Sequence, residues 1–360
     1  MKFFDIINQW ANRYFSQPDA IYLVAVLVIA MALLMAFGGA LAPVLTGLVI
    51  AFLLQGIVGS LEHRRVPRWA AVYLAFLLFL GTVLALSLLV LPLLWRQLQS
   101  LVQVLPSLAQ RLQEGVSNLA QRFPENITPE QISALLEQVS REAANVGGAV
   151  IETAFTQVFS LLGLVLYLVL VPITVFFLLK DKDRLINAVR EVLPTERPMI
   201  NAVAAEMNIQ LGNYVRGKAL EILIVGVVTF LAFLILDLNY AALLSVVVGF
   251  SVLIPFVGAA VVTLPVFAVA VLQFGWSADL AIVMAVYGIL QFLDGNVLVP
   301  LLFSEANDLH PVAIAILAFG SIWGIWGVFF AIPLATLIKA IFNAWPRSLA
   351  VASTQQSDEN

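Results

Sequence analysis

The side chain in this sequence whose setting most invites chemistry is Asp294. It stands in Gln291-Phe292-Leu293-Asp294-Gly295-Asn296-Val297-Leu298-Val299-Pro300, a stretch with no other charge. Gln291 precedes it by one helical turn, Asn296 follows closely, and Pro300 cannot continue a helical hydrogen-bond ladder. Gly295 would let the backbone unwind, baring carbonyls that could join the carboxylate and the two amides around an ion or a polar solute. The alternative is a structural aspartate that caps a broken helix or pairs with a basic residue. Gln55, in Phe52-Leu53-Leu54-Gln55-Gly56, is a second polar interruption, for which an interhelical hydrogen bond is the plainer role. His310, followed by Pro311, opens the last apolar run. Its ordinary titration range suits proton coupling, although a histidine there also simply starts a helix. Pro255 and Gly258, in Ile254-Pro255-Phe256-Val257-Gly258, mark another break in an apolar run and complete the set of expected substrate- or ion-binding positions.

Other residues read as mechanical rather than binding. Gly320, Gly324 and Gly327, with Ala331 and Pro333, form a small-residue face at near-helical spacing. Close helix packing explains it, and a moving or unwinding segment is the sharper alternative. Arg216 and Lys218, flanking Gly217, are expected to snorkel to a membrane interface, while Glu221 and Asp237 are ambiguous, since either could simply sit at a headgroup. There is no cysteine, no phosphate-binding glycine loop and no HExxH, and the two histidines are far apart in sequence. No catalytic constellation, metal site or cofactor is therefore expected, and the chain does not read as an enzyme.

These polar groups stand out because their background is so apolar. Of 360 residues, 62% are hydrophobic and 11% charged, with a mean hydropathy of +1.00. A soluble domain holds about 45–50% apolar and 25% charged residues, so the bilayer is the solvent this chain needs. A net charge of −4 excludes a nucleic-acid partner, which requires a basic face. Residues 1–19 mix Lys2, Asp5, Arg13 and Asp19 with Phe3, Phe4, Ile6, Ile7 and Trp10, as an interfacial amphipathic helix does; the apolar stretch that follows is too long for a cleavable signal.

Charge-free runs then predict the spans. The 42 uncharged residues between Asp19 and Glu62 suffice for two crossings with a turn at Phe37-Gly38-Gly39 and Pro43, and Trp69 to Trp95 supplies a third, so 20–95 holds spans one to three. Residues 153–179 make the fourth. Only 15 residues separate Glu221 from Asp237, so one of these carboxylates lies at or below the interface. In 219–345, the expected membrane core with the transport site, single-span arithmetic fails. Residues 238–278 and 309–338 are either re-entrant hairpins, the favoured reading, or single broken crossings. Placing both termini inside puts 14 of 18 basic residues in the cytoplasm, as the positive-inside rule requires. The expected fold is an all-α polytopic membrane protein of about eight membrane-embedded helical segments, N-in and C-in.

Two polar modules lie between spans. Residues 96–152 form an extracytoplasmic helical insert. Its apolar stripe is Leu98, Leu101, Leu105, Leu108, Leu112, Val116, Leu119 and Phe123, and a second helix is signalled by Thr128, Pro129 and Gln131. Residues 180–218 form a basic cytoplasmic segment suited to anionic headgroups, with Pro194 and Pro198 dividing two helices. Residues 346–360 read as a disordered tail.

The stretch Asp294 to Pro300, then Leu309-His310-Pro311, Phe319-Gly320, Trp323-Gly324, Gly327 and Ala331-Ile332-Pro333-Leu334, resembles the signature of the AI-2E family of transporters. Phe303-Ser304-Glu305, Trp326-Gly327-Val328-Phe329-Phe330 and Trp345-Pro346 are most similar to its PerM-type branch, and Tyr214-Val215-Arg216-Gly217 adds support. The resemblance covers nearly the whole chain. Lys218, where the family often has Gln, and Gln55-Gly56, in place of Asn-Pro, depart from it. The resemblance implies a multi-pass protein of the bacterial inner membrane that forms homo-oligomers, as pentamers, and works in secondary transport or export, the family being named for the signal autoinducer-2. The polar groups above make a small polar solute the expected cargo, exported across the membrane. Some relatives are instead assigned Na⁺(Li⁺)/H⁺ antiport, which would make Asp294 the ion and proton carboxylate. A non-transporting scaffold working through 96–152 is the expectation from another class.

Overall fold

The computed structural model describes residues 18–104, 107, 161–255, 257–303, 318–321, 324 and 326–345. The expected interfacial helix up to residue 17, nearly all of the outer insert, His310 and the tail lie outside these residues. Among the described residues every regular element is a helix. In hydrocarbon each backbone polar group must be satisfied within its own segment, and a chain this rich in Leu, Val and Ala meets that demand as helix.

The elements are α1 (Pro18–His63), α2 (Arg68–Ala85), α3 (Leu161–Lys180), α4 (Lys182–Val192), α5 (Pro198–Ile235), α6 (Ala241–Ser251), α7 (Val257–Phe274), α8 (Ala278–Leu293), α9 (Val299–Leu302) and α10 (Ala331–Ala344). Six stretches are long and apolar enough to cross a membrane: Asp19–Gly38, Ala40–His63, Arg68–Val104, Pro198–Ile235, Val257–Phe274 and Ala278–Leu302.

Several expected boundaries dissolve into longer helices. The turn expected at Phe37 to Pro43 is absent, and α1 stays helical throughout. Proline removes one donor and one bond, which the neighbouring ladder tolerates in an apolar medium. The span beginning at Arg68 likewise continues to Val104 without a break at residue 96. Helix α5 runs from Pro198, its first residue, to Ile235, so the basic segment and the following span share one helix and residue 218 is no boundary.

Proline leaves a different mark at two places. Leu86–Val90 and Asp294–Leu298 are π-helical, each ending two residues before a proline, Pro92 and Pro300. The residue before each proline donates five residues back, Leu91 N–H to the Leu86 carbonyl and Val299 N–H to the Asp294 carbonyl. A proline ring collides with the carbonyl four residues earlier, and widening the helix by one residue relieves that collision.

The described chain divides into two compact units, one comprising Met1–Ala51, Phe177–Tyr214 and Asp308–Asn360, the other Phe52–Phe176 and Val215–Asn307. In the first, the opening turns of α1 and α5 pack with α10 through Ala20, Leu23, Met199, Ile200, Val203 and Ala340. Asp19 is 9% exposed, and its Oδ2 accepts the Met199 N–H at 2.6 Å. The carboxylate expected on an interfacial helix instead caps the positive end of a helix 180 residues away.

The second unit is built on α5, α6, α7 and α8, with Phe233, Val248, Val266, Val271, Val283 and Tyr287 at its centre. Between lipid-embedded helices close packing replaces the hydrophobic effect as the attractive force, and it needs small residues. Gly249 meets that need, since a Cβ there would lie 3.0 Å from the Ile222 carbonyl oxygen and 3.1 Å from the Gly226 Cα. The connector from α5 to α6 is clasped by Gln273, which donates to the Asp237 carbonyl and accepts the Asn239 N–H. Gln97 reaches across from the long stretch Arg68–Val104 to accept the Leu243 N–H at 2.8 Å, covering an otherwise open donor near the start of α6.

Candidate functional site

Helix α5 carries the site. Its buried residues Lys218, Glu221, Val225, Thr229 and Phe233 step by three and four, one continuous stripe into the second unit. Two of its five members are ionisable. Lys218 is 5% exposed and Glu221 1%, and they form an ion pair of 2.8 Å. Lys218 is therefore enclosed rather than snorkelling as expected, and Glu221, which the sequence left ambiguous, is enclosed with it. At i and i+3 on a face that packs inward, they are neighbours on one helical turn, and pairing is the inexpensive way to bury them.

The Lys218 ammonium gathers three further elements. It donates to the Val252 carbonyl at 2.9 Å, at the turn between α6 and α7. It also lies 5.3 Å from the centre of the Phe303 ring, just past α9, within cation–π range. Gly217 makes room for that ring, because a Cβ there would sit 2.6 Å from Phe303 Cε1. Asp294 lies within electrostatic reach of both Lys218 and Glu221. Its Oδ1 is enclosed and accepts no hydrogen bond from the described residues.

Asp294 thus belongs to a charged cluster, as one reading of the sequence expected, but its backbone does not unwind. Gly295 lies within the π-helical turn Asp294–Leu298, so the carbonyls keep helical partners in a shifted register. Asn296 is turned away, donating to the Phe292 carbonyl at 2.9 Å, and Gln291 bonds with Tyr287 on its own helix. Neither amide contacts Asp294. Pro300 sits at the start of α9. Gln55 is half-buried within α1. A Cβ on its neighbour Gly56 would meet the Arg216 Cδ at 3.8 Å, an ordinary contact, and Arg216 itself is exposed.

Pro255 and Gly258 shape the hairpin that brings Val252 to the cluster. The chain leaves α6 at Ser251, turns through residues 252–255 and returns as α7. A Cβ on Gly258 would overlap the Ser251 carbonyl, so only glycine permits this turn. At 11 residues, α6 rises only about 17 Å and cannot span a bilayer alone.

Gly320, Gly324 and Gly327 do a similar job in the first unit, and the continuous helix face expected of them is not there. Gly324 has φ +58°, and a Cβ on Gly327 would overlap the Phe319 carbonyl. Residues eight apart on one helix are about 12 Å from each other, so the backbone doubles back here. Tyr214 holds the returning limb by donating to the Phe329 carbonyl at 2.7 Å, with its ring edge-on to Phe329. Pro333 is buried in the first turn of α10.

Reasoning by position along the chain missed the Lys218–Glu221 pair. The signal was present in the period, since Lys218 and Glu221 continue the stripe of Val225, Thr229 and Phe233.

Helices long and apolar enough to cross a bilayer, joined by short turns, define a polytopic membrane protein, and a charged pair is buried inside it. The sequence profile of the AI-2E family transporters matches residues 22–347, and the chain belongs to that family. It is 45% identical over 344 residues to the Escherichia coli K12 protein named "Putative permease PerM", covering 95% of this chain and 98% of that one. It is also 28% identical over 325 residues to the Bacillus subtilis "Putative transport protein YueF", covering 88% and 87%. The chain is thus a multi-pass permease-type protein of the inner membrane.

Proposed function

We propose that this protein is a secondary transporter that exports a small polar solute by alternating access, with Lys218, Glu221 and Asp294 at its working site. The observation that carries this reading is the ion pair buried at the turn of a helical hairpin, inside a chain whose relatives are named as permeases and transport proteins. Charged groups within membrane segments are expensive and are functional candidates for that reason. Here one ammonium joins α5 to the α6–α7 turn and to the residue that follows α9, so a change in its pairing is felt by all of them at once. A single buried cation with alternative anionic partners is the kind of two-state contact that alternating access requires.

The membrane arrangement we infer has both termini inside and about eight embedded segments, with the α6–α7 hairpin re-entrant and Pro255 and Gly258 fixing its turn. The hairpin around Gly324 is the second moving part. Homo-oligomers would supply the scaffold against which these parts move.

The test is solute export from cells lacking and overproducing the protein, comparing autoinducer-2, amines, organic acids and inorganic cations in the medium. We expect one solute class to leave faster in the producing cells and to lose that advantage in Asp294→Asn. Identical profiles for the producing and deficient strains across the panel would refute the transport assignment.

A further inference from the structure

Resting on the transporter reading, we propose that the Lys218–Glu221–Asp294 cluster recognises one primary ammonium group on the transported solute. Lys218, from α5, contributes one positive charge; Glu221, from the same helix, and Asp294, from the π-helical turn, contribute two negative ones. The α6–α7 turn adds a carbonyl at Val252 and the chain after α9 adds the Phe303 ring, neither of which carries charge. The cluster is therefore one positive charge short of balance in a medium that penalises buried net charge. An anionic solute would worsen that deficit, and a neutral one would leave it. A monovalent cation closes it.

Two observations select an ammonium among monovalent cations. The first is Lys218 itself, which acts as a tethered specimen of the ligand. Its –NH3⁺ is held by a carboxylate at 2.8 Å, a carbonyl at 2.9 Å and an aromatic face at 5.3 Å. These are the partners that match three N–H donors around one positive centre. The second is the Asp294 Oδ1, an enclosed acceptor that receives no hydrogen bond from the described residues and so calls for a donor, not merely a charge. Among the described residues no group of three or more His, Asp or Glu side chains is placed to hold a metal ion, and the neighbouring ammonium repels a divalent one. Because that oxygen is closed to solvent in this conformation, the ligand must enter from another state, as an alternating-access cycle provides.

The experiment uses the full-length protein in lipid nanodiscs, titrated with methylammonium chloride and, at matched ionic strength, with tetramethylammonium chloride, sodium chloride and sodium acetate. Binding is followed by calorimetry. Methylammonium should bind saturably, and tetramethylammonium, which has the charge but no N–H, at least about tenfold more weakly, as should sodium. Asp294→Asn should weaken methylammonium by at least about tenfold. Should that variant fail to fold, Glu221→Gln gives the second reading, since it leaves Lys218 to neutralise Asp294 and should abolish the same binding. Equal binding of all chloride salts, tighter binding of sodium, or methylammonium binding unaltered in whichever variants fold would overturn the proposal. Flux in proteoliposomes separates the two claims. Amine binding without amine flux refutes transport but keeps the site, whereas flux of another solute without amine binding keeps transport and refutes the site.

Discussion

Replacing Lys218 by Met removes the ammonium while keeping a side chain of similar length and bulk. Glu221, at 1% exposure, then loses the partner it holds at 2.8 Å, and the Val252 carbonyl loses a charged donor. Removing one member of a buried ion pair costs about 3–5 kcal/mol, because the remaining charge stays desolvated and uncompensated. For a chain of this size that is roughly 5–15 °C of thermal stability, which the intrinsic fluorescence of its seven tryptophans can follow in detergent. The decisive comparison is the double variant Lys218→Met/Glu221→Leu, in which neither charge of the pair remains. Apolar replacement of a whole buried pair is close to neutral, so the double variant should recover most of what the single one lost, with a coupling between the two sites of about 2–3 kcal/mol. If the double variant is as unstable as the sum of the two single ones, the pair is not acting as a unit and the reasoning fails. Equal stability of Lys218→Met and the parent would refute it more directly.

Three further outcomes follow from local geometry. Gly327→Ala and Gly258→Ala should each destabilise by more than about 3 kcal/mol or abolish folded yield, as their Cβ atoms would overlap the Phe319 and Ser251 carbonyls; Gly288→Ala, with nothing within 4 Å, should be neutral or stabilising by up to about 1 kcal/mol. Size-exclusion yield and thermal melting separate these cases, and similar losses at all three positions would contradict the hairpin geometry. Asp19→Ala removes the cap on Met199 and should cost about 0.5–2 kcal/mol, with Asp19→Asn recovering part of it in the same melting assay. Tyr214→Phe removes the donor to the Phe329 carbonyl at 2.7 Å and should cost about 0.5–1.5 kcal/mol, with increased proteolysis between residues 318 and 330 as the returning limb loosens.

Much of this protein was legible without coordinates. Apolar runs are a property of composition and length, so the membrane class, the all-helical fold and the irregular C-terminal half follow from counting, and the residues around Asp294 and Gly320 carry the family resemblance. Breaks were harder to place. Phe37 to Pro43 reads as a turn because Gly and Pro are turn residues, yet the chain there remains helical, since in lipid a helix loses less by tolerating proline than by opening its backbone. Gly324 and Gly327 read as a packing face because their spacing suits a helix, yet they serve a reversal.

The sequence by itself determined what must be buried in a membrane and which polar residues would be conspicuous there. Only the tertiary structure decided which of them meet. Lys218, Glu221, Val252, Asp294 and Phe303 come from four separate stretches of chain, and the helical stripe of α5, the hairpin that Gly258 permits and the π-helical turn before Pro300 bring them together. Local periodicity fixes the face on which a side chain lies. The partner that neutralises a buried charge is chosen by packing across the fold, because no nearby residue or solvent can take its place.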